Sequence, residues 1–203
     1  MDLDPRPQRR SFLGFLIFGL GAIFSAILGV PLGCYVLDPR HRRAPASTMK
    51  LVEGVSLAEL NETTPQQGVI RDTRVDGWTL YPNDLLGRVW VVLQKPLPAD
   101  LRGDAAKIKE FNEKPQADRD RFLLVFTTIC PHLGCSINLG PGGFACPCHA
   151  ATFTKTGERA ATTNPAKRGM DTLEWTIDEQ DATRIKVKYQ RFEALAEQKN
   201  AIA

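Results

Sequence analysis

Histidine and cysteine are both scarce. The 203-residue sequence holds three of the first and five of the second. A chain this poor in cysteine is not a disulfide-dense scaffold. It also lacks an excess of charge of one sign. The formal net charge is +3, and no basic stripe interleaved with aromatics runs along the chain. Nothing therefore equips it to follow a nucleic-acid backbone. No internal repeat is present. The length allows one domain of moderate size plus appendages. Hydrophobic residues make up 43%, enough for a core, but part of that content lies in one N-terminal run.

The scarce residues are not spread out. Four of the five cysteines and two of the three histidines fall in residues 130–149, CPHLGCSINLGPGGFACPCH. They form two boxes, Cys130-Pro131-His132-Leu133-Gly134-Cys135 and Cys146-Pro147-Cys148-His149. Thiolate and imidazole suit iron–sulfur clusters, zinc or copper. Six such donors exceed what one tetrahedral ion takes, and a four-ligand zinc site would leave two over. The surplus disappears if two cysteines and two histidines bind metal while the other cysteine pair forms a disulfide. A structural zinc knuckle and a purely disulfide-bonded loop pair remain the alternatives.

The boxes resemble those of the Rieske iron–sulfur family, C-x-H-x-G-C and C-x-C-H, whose [2Fe–2S] centre has cysteines on one iron and histidines on the other. The resemblance implies Cys130 and Cys146 on one iron, His132 and His149 on the second, and a disulfide between Cys135 and Cys148. It covers residues 122–178 most clearly and extends over about 50–190. It implies a mainly β fold: an antiparallel β-sandwich domain with an inserted cluster-binding subdomain at about 127–171. A third loop, usually G-P-A-P, packs over the cluster in the family. Here it reads Thr163-Asn164-Pro165-Ala166, so Pro165 is kept and the leading glycine is not. High-potential members follow the second box with Gly-Ser-x-Tyr, whose hydroxyls donate hydrogen bonds to the cluster and its ligands. Ala150-Ala151-Thr152-Phe153 stands there instead, and neither Ala151 nor Phe153 has a hydroxyl.

Residues 12–37 carry no charged side chain. About 20 apolar residues span a bilayer as a helix, and a secretory signal core is usually shorter than this run. A retained transmembrane anchor is expected, with Pro31 ending or kinking it. Arg9-Arg10-Ser11-Phe12-Leu13 matches a twin-arginine export signal, which puts the N-terminus (1–11) in the cytoplasm and the domain outside the bacterial inner membrane. An Ala44-Pro45-Ala46 triplet resembles a cleavage site, but the basic stretch before it argues for retention. Cys34 reads as a small buried or lipid-facing residue. Residues 38–49, with His41, read as a hinge linker.

Beyond it, strands are expected at 67–75, 87–94, 122–129, 144–146, 151–154, 172–178 and 184–191, with a short helical turn at 57–60. The runs at 89–93 and 122–126 are of buried-strand type. Residues 95–121 read as a solvated surface excursion with a helix at 104–113. Residues 191–203 read as a short polar helix or a frayed tail.

The resemblance to the quinol-oxidising branch of the family implies an electron-transfer subunit of a cytochrome bc-type complex, an oxidoreductase working in a multisubunit assembly, with a dimer as one form of it. It would oxidise membrane quinol, with His149 hydrogen-bonding the quinol and Leu133 and Gly134 docking on cytochrome b. The electron would go to a c-type cytochrome haem. The missing hydroxyls point to menaquinol. The other readings are the small Rieske subunit of an arsenite oxidase and, from a different class, a membrane-anchored zinc-binding interaction module.

Overall fold

The structure, a computed structural model, describes residues 6–41, 48–76, 79–101 and 103–202. The chain divides into two units. The first is helix α1 (Arg6–His41). Its span Arg10–Leu37 is 28 residues and long and apolar enough to cross a membrane. At 1.5 Å per residue it reaches about 42 Å, more than the roughly 30 Å hydrocarbon core. α1 does not end at Pro31. A proline inside a helix removes one backbone bond, and an apolar helix absorbs that loss. Of the expected linker, residues 38–41 continue α1. Residues 42–47, including the Ala44-Pro45-Ala46 triplet, lie outside the described residues.

The second unit is built almost wholly of antiparallel strands. In chain order these are β1 (Met49–Glu53), β2 (Gln66–Asp76), β3 (Thr79–Leu93), β4 (Leu123–Thr127), β5 (Asn138–Gly140), β6 (Gly143–Cys146), β7 (Ala151–Thr154), β8 (Glu174–Ile177), β9 (Ile185–Lys188), β10 (Arg191–Phe192) and β11 (Ala201–Ile202). Between β3 and β4 lie a single turn at Ala99–Leu101, α2 (Ala105–Glu113) and α3 (Gln116–Arg119). Six strands form one sheet in the order β4-β3-β2-β1-β9-β8. Its edges nearly meet. The Leu173 N–H donates to the Val125 carbonyl and the Thr127 N–H to the Asp171 carbonyl, so the segment entering β8 pairs with β4. A second sheet, β5-β6-β7, is inserted between β4 and β8.

Strands β3 and β4 carry both cores. Side chains alternate faces along a strand. Val89 and Val91 on β3, and Leu123 and Val125 on β4, join the base core around Trp175, Phe111 and Ile70. The residues between them, Trp90, Val92, Leu124 and Phe126, join a second core with Phe144, Phe153, Ile137, Cys130 and Cys146. That is why both strands read as continuous apolar runs: neither face is wet. The Trp90 indole N–H donates to the Ile137 carbonyl at 3.0 Å, which ties the inserted sheet to the base.

Several expectations are corrected. Residues 95–121 are not a solvated excursion. Ile108 and Phe111, three apart on α2, are buried in the base core. Asn112 exchanges hydrogen bonds with Ile177 through both its amide atoms, and the buried Arg119 donates to the Trp175 carbonyl. The Asp104 side chain caps α2 by accepting from the Ala106 and Lys107 N–H groups. β1, β5 and the first half of β3 fall outside the expected strands. In β3, register shifts in the pairing with β2 accommodate Pro82-Asn83-Asp84, with Asn83 at a φ of 59°. Residues 57–59 form a single turn, closed by the Glu59 N–H donating to the Ser56 carbonyl. The C-terminal tail is neither helix nor frayed. β10 pairs with β11, and the tail is fastened to the inserted subdomain.

Candidate metal centre

The first box leaves β4 and folds into a tight turn. The Gly134 N–H donates to the Cys130 carbonyl and the Cys130 N–H to the Cys135 carbonyl, at 2.9 and 2.8 Å. Gly134 has a φ of 78°, a conformation that glycine adopts without cost. The second box is the loop of the β6–β7 hairpin, in which Cys146 faces Ala151 across the ladder. The loop closes through Ala150 at a φ of 55°. A left-handed non-glycine residue costs roughly 1–2 kcal/mol. Ala150→Gly is therefore expected to stabilise the domain by about 1 kcal/mol, raising the melting midpoint by about 2–4 °C. A calorimetric midpoint equal to or below wild type would contradict this.

Two loops thus bring the donors together. Cys130 and Cys146 are free thiols, 1% and 2% exposed. The imidazoles of His132 and His149 face each other edge to face, with centroids 4.9 Å apart. His132 is half-buried and His149 exposed. Cys135 and Cys148 form a disulfide that joins the two boxes. Their sulfurs lie within 4.8 Å of the Cys146 sulfur. Because they are bonded to each other, they are no longer thiolate donors. That leaves two buried thiols and two imidazoles at the outer edge.

This donor set fits an iron–sulfur group. Burial is the main cause that pushes the Cys130 thiol up to about 11, and the neighbouring Cys146 adds to it. Buried thiolates need a cation to exist at neutral pH. The backbone N–H groups of His132 and Leu133 already aim at the Cys130 sulfur, ready to donate to sulfur that carries charge. Leu133, 50% exposed, and Gly134 form the outer tip of the turn. Ala151 and Phe153 are buried in the same core as both free thiols. Thr152 lies on the opposite face of β7, so its hydroxyl does not stand in for the missing ones.

The third loop keeps its shape without the glycine. Asn164, 7% exposed, donates from its side chain to the Thr152 carbonyl and accepts from the Ala166 N–H. Pro165 sits half-buried between these two buried residues. Asn164 is a supporting residue that sequence reasoning saw only as a lost glycine. Asparagine before proline in a loop was the available signal, since its side chain bonds its own backbone. Cys34, on α1, is exposed.

A family model described as the Rieske [2Fe-2S] domain matches residues 89–176. Two curated relatives, both named menaquinol:cytochrome c reductase iron-sulfur subunit, are similar over most of their length. That of Bacillus subtilis (strain 168) is 27% identical over 163 residues, 78% of this chain and 80% of its own. That of Geobacillus thermodenitrificans is 25% identical over 171 residues, 81% and 83%. Among solved structures, the cyanobacterial plasma membrane Rieske protein of Synechocystis is 23% identical, covering 60% of this chain and 86% of its own, with a TM-score of 0.32. Both boxes, the buried thiol pair and the facing imidazoles all lie inside the matched span, and the chain carries a Rieske [2Fe–2S] domain across residues 89–176.

Proposed function

We propose that this chain is the Rieske subunit of a menaquinol–cytochrome c reductase-type complex in a bacterial cytoplasmic membrane. Cys130, Cys146, His132 and His149 would hold the [2Fe–2S] group. When bound, the [2Fe–2S] group accepts and releases one electron at a time. The observation that carries the reading is the asymmetry of the site: thiols buried on the inside, imidazoles at the exposed edge. A quinol approaching that edge meets His149 first. His149 orients the quinol hydroxyl and accepts its proton at the outer ring nitrogen, and the His132 ring packs edge to face against it. Leu133 and Gly134 supply an apolar tip that docks on cytochrome b. A c-type cytochrome haem would be the acceptor of the electron that the bound group supplies. Two relatives named for menaquinol support the choice of quinol. α1 anchors the chain in a single pass, with Arg9 and Arg10 on the cytoplasmic side as its export signal and the domain on the outer side.

The test uses the membrane complex purified with its partner subunits. Menaquinol-driven reduction of its c-type haem is followed by stopped flow, and the cluster by EPR. His149→Cys is expected to slow quinol oxidation by at least a factor of about 100. A complex that holds the cluster in full yet reduces no haem with any quinol would sink the reading. So would a His149→Cys complex that keeps its cluster and turns over at the wild-type rate.

A further inference from the structure

Arg168 and Asp171 form an ion pair in the loop after Pro165, with side chains only 9% and 4% exposed. It is bidentate: Nε donates to Oδ1 at 2.8 Å and Nη2 to Oδ2 at 2.9 Å. The same guanidinium reaches the C-terminal tail. Nη1 donates to the Ala196 carbonyl and Nη2 to the Glu193 carbonyl, each at 2.7 Å. The tail in turn touches the first box, where the Leu195 N–H donates to the Pro131 carbonyl at 3.0 Å. Leu195 adopts a φ of 61° there, a strained conformation for a leucine. Lys199 fixes the returning strand by donating to Thr172 and lying over the Phe192 ring.

We propose that Arg168 is a positioning residue that clamps the C-terminal tail onto the first box, and that the charge balance of the Arg168–Asp171 pair sets the potential of the group held there. The proposal rests on the Rieske reading above. A buried pair in low dielectric exerts little net field while both charges are present. Removing one unbalances the pair beside the centre, although Lys199 still faces Asp171 and Glu193 still faces Arg168. The hydrogen-bonded Asp171 carboxylate holds Arg168 above its ordinary value against burial, and Glu193 adds to it. Met170, next to Asp171, packs in the core that holds Cys130 and Cys146, and the Thr127 N–H donates to the Asp171 carbonyl, so the ion pair lies against the strand end that carries the first box. The reduced centre carries one more negative charge than the oxidised one, so a bare cation favours reduction and a bare carboxylate opposes it.

The experiment is an EPR-monitored redox titration of the purified full-length protein, with iron content measured in parallel. Asp171→Asn keeps the shape and leaves the cation, and it is expected to titrate higher. Arg168→Gln leaves the carboxylate and is expected to titrate lower. Each shift is on the order of tenfold in the reduction equilibrium, about 59 mV. Arg168→Lys keeps the charge without the fork and should stay near wild type in potential. It should also speed amide exchange at Leu195, as should Arg168→Gln. Shifts of the two charge variants in the same direction, or none, at wild-type iron content would overturn the electrostatic role. Unchanged exchange at Leu195 in Arg168→Lys and Arg168→Gln would overturn the clamp. A wild-type protein that binds no [2Fe–2S] group would instead remove the Rieske reading beneath both.

Discussion

Serine in place of Cys135 or Cys148 is expected to strip most of the iron from the purified protein, whereas Cys34→Ser leaves it intact. The disulfide spans a sequence separation of 13, and closing a loop of that size contributes roughly 3 kcal/mol in the chain-entropy account. Its position matters more than this figure. Each box supplies one buried thiol and one imidazole, and the boxes leave different strands. The bridge fixes the separation of the two donor pairs at the exposed side of the centre, where Cys148 is open to solvent. The inner side has the Trp90–Ile137 bond and a packed core; the outer side has the bridge. Iron per protein and EPR amplitude, measured after identical purification, decide the matter. Equal iron in all three variants would show that the bridge does not hold the centre together.

The second large effect is on potential. Ala151→Ser with Phe153→Tyr is expected to raise the midpoint by on the order of 100 mV. Both wild-type residues are buried, at 0% and 2% exposed, in the core that contains Cys130 and Cys146. Neither side chain can donate a hydrogen bond. A bond to a charged acceptor is worth roughly 1.5–3 kcal/mol, and for one electron about 1.4 kcal/mol corresponds to about 59 mV. Each restored bond could thus add ~60–130 mV, and favours the reduced form because that form carries more negative charge. The wild type should lie well below the roughly +300 mV upper end for Rieske centres, where menaquinol is a competent donor. A double variant that does not move, or a wild type already near that end, would remove the argument for a low-potential quinol.

Much of this was legible in residues 130–149, because metal donors at short fixed spacing constrain the chain more than propensity does. The cysteine–histidine boxes, the apolar runs of β3 and β4 and the helix at 105–113 could all be read from local pattern. What could not be read depends on distant partners. Ile108 and Phe111 look like an ordinary amphipathic face, and only the position of β8 shows that they close the base core. The tail looks polar and unstructured because its order comes from Arg168, Thr172 and Pro131 rather than from its own sequence. The irregular half of β3 hides behind turn-forming residues because bulges let a strand carry them.

The two-faced strands β3 and β4 have a mechanical consequence. One hydrogen-bonded ladder serves both cores, so the inserted core cannot unfold while the base stays folded, although the box loops at its outer edge depend on the bridge. Melting should be a single cooperative event, and the inserted sheet should not survive as an excised fragment. A force applied at the tip is then passed to the whole six-stranded sheet rather than absorbed in the inserted one.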